Sequence, residues 1–247
     1  MDHHTLAGIS IAGSCLDVLG SLYLAYDLLG GQHGPLRVLT RAVTYSVVFG
    51  IGYGYGLGLF FGIASGAATG FTLAVELNRA ARNAPHLSLP WEGLFSAIRG
   101  VAFAAGLYRM VGFRFAAAFG VLIIAGQIFA YSQGVRPSID YEATRRLRLR
   151  RKHLLAAVAR TIGYIVSALV CSALVQHVEH PWAIALRIGL VTGIVTTVGL
   201  LVSPFVEFFS DRLPERRMGA FGIGLIFIGF TLQSVQYWLA MFDVPIR

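Results

Sequence analysis

The sequence predicts an all-α integral membrane bundle of about eight transmembrane helices, and three observations carry that expectation. Of its 247 residues, 56% are apolar and only 13% are charged, where a soluble surface needs about twice that charged share. The apolar residues fall in runs of at least the ~20 positions that cross a bilayer. Glycine recurs at every second position from Gly50 to Gly58, then at every fourth through Gly58, Gly62, Gly66 and Gly70. Positions i and i+4 share one helix face. The second run therefore bares a backbone groove of the kind through which membrane helices pack, a glycine zipper.

The elements follow in order. Residues 6–29 form the first span, without the basic flank and cleavage site of a removable signal. A turn at 30–35, Gly-Gly-Gln-His-Gly-Pro, ends it. Residues 40–77 are too long for one span and carry Arg37 and Arg41 before them and Arg79 and Arg82 after them. Both ends therefore prefer the cytoplasm, and the stretch is expected to fold as a hairpin turning near 53–58.

A second pair, 91–108 and 115–133, is joined by a linker containing Arg109 and Arg114, against the positive-inside trend. The alternative, one span plus an interfacial helix, exports a far larger basic run, so two spans are expected. That run, Arg145, Arg146, Arg148, Arg150, Arg151 and Lys152, lies in a basic cytoplasmic loop or helix at 134–153. Its expected partner is the anionic headgroup layer and not nucleic acid, which also accounts for the net charge of +8. Residues 154–175 and 182–205 make a third hairpin, and 219–242 the last span after a cytoplasmic loop at 211–217. The chain thus reads as a single transmembrane domain, 1–247, of a bacterial inner membrane, with both termini on the non-cytoplasmic side.

An internal pattern supports three hairpins flanked by a first and a last span. Their first helices open on Arg41-Ala-Val-Thr-Tyr45, Arg99-Gly-Val-Ala-Phe103 and Arg160-Thr-Ile-Gly-Tyr164, at spacings of 58 and 61 residues. A second echo links the flanking spans, with Gly13 opposite Gly229 and Asp17 opposite Gln233, in helices expected to run in opposite directions. The glycine dotting is similar to the glycine-zipper spans of mitochondrial inner-membrane translocase proteins. Those have about four spans and their motifs do not align here, so the similarity assigns no family.

Asp17 stands out because an ionised carboxylate in mid-span costs at least about 2–3 kcal/mol. Its face, Ser10, Gly13, Ser14, Asp17, Gly20 and Ser21, points it at a small polar seam. It reads as a register-fixing structural group or as a proton or cation site. Arg99 sits deeper than Arg41 and Arg160, which can snorkel, and needs a partner among Asp17, Glu76, Glu92 and Glu207. Gln127, Gln133, Gln233 and Gln236 read as interhelical hydrogen-bond glue, with Gln233 also a candidate transport residue.

Neither Cys15 nor Cys171, each inside an apolar run, implies a disulfide. His177-Val-Glu179-His180 lacks a third spaced ligand, so no metal or other cofactor is expected. There is no nucleophile elbow, HExxH or P-loop, and catalysis is not the expected role.

Two functions of different class lead, ahead of a third and weaker one, an intramembrane enzyme acting on lipid. One is a small-solute or ion transporter or channel, resting on the intramembrane carboxylates Asp17, Glu76 and Glu207 with Arg99 and Gln233. The other is a structural or accessory subunit, a homo-oligomer or a member of a membrane complex, packing through Gly58, Gly62, Gly66 and Gly70. Water reaching the polar residues favours the first, and a solid core the second.

Overall fold

The computed structural model describes residues 3–29, 36–81, 88–133, 151–174, 181–210 and 217–242. Among them the chain forms seven helices: α1 (His3–Leu28), α2 (Arg37–Leu57), α3 (Leu59–Ala81), α4 (Leu89–Ser132), α5 (Arg151–Leu174), α6 (Pro181–Ser210) and α7 (Arg217–Met241). Six are long and apolar enough to cross a membrane. The seventh, α2, is 21 residues long, but its tyrosines, glycines and two arginines hold its hydropathy down. A helical membrane protein follows from the surface as well. On α6 the residues Leu186, Leu190, Ile194, Val198 and Val202 face outward, while Ile188, Thr192, Thr196 and Ser203 face inward. Apolar outside with hydroxyls inside is the reverse of a soluble helix.

Seven helices stand where eight were expected, because α4 is one 44-residue element covering both 91–108 and 115–133. It opens on Ser88 with a proline in its first turn and Glu92 nearby, both suited to a helix start. It is not continuous. Gly112 has φ 79° and ψ 165°, a conformation that a side chain resists. The two halves fold back on each other there. A Cβ placed on Gly100 would lie 2.7 Å from the Gly120 carbonyl oxygen, and one on Gly120 equally close to that of Gly100.

The chain divides into two compact units. One, Met1–Thr40 with Ser210–Arg247, holds α1 and α7. These run antiparallel in close contact: Gly13 meets Gly229 and Gly20 meets Gly222, each glycine's Cβ position lying 2.5–2.6 Å from the other's carbonyl oxygen.

The other unit, Arg41–Phe209, contains the three hairpins. In the first, α2 gives way to α3 at Gly58, with φ 94°, at the end of the window expected for the turn. Gly62 then faces Gly50 and Gly54 and Gly66 faces Gly50 and Ser46 through backbone atoms, and Gly70 faces the backbone and hydroxyl of Ser46. Gly58 itself has open space where a Cβ would be. In the third hairpin Gly189 meets Ile165 and Gly193 meets Thr161. The crossings share a register with the repeated motif. Five residues after Arg41, Arg99 and Arg160 come Ser46, Ala104 and Ile165, and each touches a glycine of its partner helix: Gly66 and Gly70, Gly120, and Gly189.

The hairpins pack in a closed cycle. Phe61 of α3 lies against Gly106 of α4, Phe103 of α4 meets Tyr164 of α5 at a tilt with centroids 6.1 Å apart, and Val191 and Val195 of α6 fill the spaces left by Gly56 and Gly52 of α2. Their centre is aromatic. Tyr53 meets Phe61 and Phe103 edge-on at 5.5 and 5.7 Å and Phe49 at 5.9 Å, geometries that rings prefer.

Candidate functional site

Among the described residues, a row of buried polar side chains lies inside the hairpin unit and starts on α3. Ser65, Thr69, Thr72 and Glu76 are spaced by four, three and four residues, which puts them on one face. That face is turned inward: Ser65 and Thr72 are fully buried and Thr69 nearly so. The row forms because the opposite face of α3 is apolar, with Phe60, Ile63 and Phe71 outward, and because Gly62, Gly66 and Gly70 clamp its flank to α2.

At one end of the row Glu76 Oε1 accepts a hydrogen bond from Arg99 Nη2 of α4 at 2.6 Å, with side chains 12% and 10% exposed respectively. The same Nη2 donates to the Tyr131 hydroxyl at 3.3 Å. Tyr131 comes from the far half of α4, brought back by the Gly112 turn. Two ionised groups out of water are costly alone, and removing either partner typically costs about 3–5 kcal/mol. The pair is therefore self-consistent only while both members stay. Arg99 Nε is buried without a hydrogen-bond partner among the described residues. Arg160 of α5 lies within electrostatic range of Arg99, Glu76 and Tyr131.

Toward the middle of the unit the row meets hydroxyls from other helices. The Tyr53 and Thr196 hydroxyls share a hydrogen bond of 2.7 Å, and Thr192 is fully buried. Thr72 and Thr192 donate to the carbonyl oxygens of Ala68 and Ile188, one turn back, at 2.8 and 2.6 Å. Those two are satisfied by their own helices. The Ser65 hydroxyl is buried with no partner among the described residues, while the buried Thr69 hydroxyl lies beside the Tyr53 hydroxyl. Buried polar groups are nearly always paired, by protein or by water.

The expected residues separate into two places. Arg99 takes Glu76 from its four possible partners. Asp17, in the other unit, accepts a 2.6 Å hydrogen bond from Gln233 Nε2 of α7 through Oδ2, while Oδ1 is buried without a partner among the described residues. The carboxylate also lies where a Cβ on Gly229 would go. Of its expected seam, Gly13 and Gly20 face α7, while Ser14 and Ser21 are exposed. This is a close-packed polar contact between two helices.

Glu207 lies in the last turns of α6, and its side chain is outside the described residues. Of the basic run, Arg145, Arg146, Arg148 and Arg150 are outside them too, while Arg151 and Lys152 begin α5. The sequence from His177 to His180 is likewise outside. Among the described residues no group of three or more His, Cys, Asp or Glu could hold a metal ion.

Sequence reasoning passed over Thr69, Thr72, Tyr131 and Thr196. The signal was there for the α3 row, whose four-three-four spacing ends on Glu76. It was not there for Tyr131 or Thr196, which tertiary packing alone delivers. Among known family models, curated proteins and solved structures, none matches this chain.

Proposed function

We propose that the chain is a small-solute or ion transporter whose transport unit is the cycle of three hairpins. The observation that carries this reading is the α3 row, which leads from the buried hydroxyls of Ser65, itself unpartnered among the described residues, and Thr69 to the Glu76–Arg99–Tyr131 cluster. An ionisable residue inside a membrane bundle is expensive and is a functional group by default. A row of hydroxyls ending on it has the composition of a path for something polar. Tyr53, Phe61 and Phe103 close the interior at the centre, so passage requires the hairpins to move against one another. That favours a transporter over an open channel.

In this reading α4 crosses the bilayer twice around Gly112, α2 crosses as well, and the count of crossings is eight. The close glycine contacts are zipper packing, and the shared register of the three crossings reflects a threefold internal repeat. The site residues are Glu76 and Arg99. Reconstitution into liposomes tests the proposal: flux of a proton, an inorganic ion or a small organic ion should appear with the purified chain and be lost in Glu76→Gln. A folded, reconstituted protein that moves none of these would sink it.

A second reading is a structural subunit, favoured by α1 and α7 alone. Their backbones touch at Gly13–Gly229 and Gly20–Gly222, and Asp17 is spent on Gln233. On that reading these two helices are the scaffold and Asp17 fixes their register. It predicts that Asp17→Asn leaves flux intact.

A further inference from the structure

We infer that the transported solute is a small monovalent anion, a halide or a short carboxylate, and that Arg99 together with Arg160 binds it where Glu76 now sits. This rests on the transporter reading of the same site and supplies its substrate class.

Arg99 and Arg160 occupy the same position of the repeated motif, each one turn before an aromatic, Phe103 and Tyr164. Those two rings pack at 6.1 Å, so the arginines one turn back lie toward the same end of α4 and α5. Arg160 is within electrostatic range of Arg99 and of Glu76. The Glu76 carboxylate thus lies near both guanidinium groups. Glu76 engages Arg99 through a single nitrogen, Nη2, and Arg99 Nε stays buried without a partner among the described residues. A guanidinium satisfies a carboxylate best through two parallel bonds, so half of this fork is left for another acceptor. Tyr131 offers a hydroxyl beside it.

The other end of the unit is basic as well. Arg187 Nε donates to the Gly56 carbonyl at 3.0 Å, and the Arg109 guanidinium lies 5.1 Å over the Phe60 ring. The acidic residues of the unit whose side chains are described, Glu76 and Glu92, lie at the opposite end.

Glu76 is then a tethered anion that the solute displaces from Arg99. Binding is measured on the full-length protein in detergent with radiolabelled chloride and, separately, radiolabelled acetate. The expected result is saturable binding of one or both, the preferred label identifying a halide or a carboxylate. Glu76→Gln, which removes the competitor, should tighten binding by about tenfold or more, and Arg160→Gln should weaken it by at least about tenfold. Should Glu76→Gln fail to fold, Arg160→Gln and Arg160→Lys decide, since the lysine keeps the charge and should retain most of the binding.

No saturable binding of either label, or binding indifferent to Arg160→Gln, overturns the inference. Cation flux without anion binding would leave the transporter reading standing and remove the anion. Anion binding with no flux of any ion would keep the site and remove the transporter.

Discussion

At the scale of the residue, the carboxylates of Glu76 and Asp17 are held in opposite ways, and their variants should behave differently. Glu76 faces a guanidinium at 2.6 Å. Glu76→Gln strands Arg99 in the bundle and should cost about 3–5 kcal/mol of stability. Melting in detergent should show most of that loss recovered in the double variant Glu76→Gln, Arg99→Gln, where no net charge is left. A single variant as stable as the parent would mean that the pair is not formed. Asp17 faces an amide at 2.6 Å. Asp17→Asn keeps an acceptor for Gln233 Nε2, and should change stability by less than about 1 kcal/mol. The choice of partner was not legible in the sequence. Arg99 had four candidate carboxylates, and only the helix order α3–α4 brings Glu76 to it.

At the scale of the element, the helices are held by how closely their backbones approach. A Cβ on Gly66 would lie 2.5 Å from Gly50 Cα and 2.8 Å from the Ser46 carbonyl oxygen, while the next residue, Ala67, is exposed. Gly66→Leu should therefore lower the yield of folded protein sharply, and Ala67→Leu should not. The α1–α7 contact gives a finer pair. Gly229→Ala drives a methyl into Asp17 and the Gly13 carbonyl and should cost about 1–3 kcal/mol. Gly224→Ala, with nothing within 4 Å of the new Cβ, should be neutral or slightly stabilising. Equal melting temperatures for the two variants would remove glycine contact from the account.

Much at this scale was legible. The glycine run at 50–70 marks both the turn at Gly58 and the face of α3 that meets α2, because only glycine permits both the positive φ and the contact. The short linker at 109–114 was expected to be a turn, yet the helix runs up to and on from Gly112 with one residue out of conformation. A single glycine is enough to reverse the chain there, which neither periodicity nor hydropathy reveals.

At the scale of the whole molecule, the prediction is topological. With eight crossings, reporter fusions after Lys152 and Arg217 should report the cytoplasm, and fusions after His180 and Arg247 the opposite side. A C-terminus on the cytoplasmic side would mean that α4 or α2 does not cross as proposed.

The central claim is that the polar row of α3 lines a path that water enters. The most direct measurement is accessibility to a small, charged, water-soluble thiol reagent, in sealed vesicles of a Cys15→Ala, Cys171→Ala background. Cysteine replaces Thr69, which is buried in the row, or Ala67, which is exposed on the other face of the same helix. Thr69→Cys should react and be slowed by the transported ion, while Ala67→Cys, facing lipid, should stay unreactive. Two equally inert cysteines would contradict the account and leave α3 as a helix in a solid core.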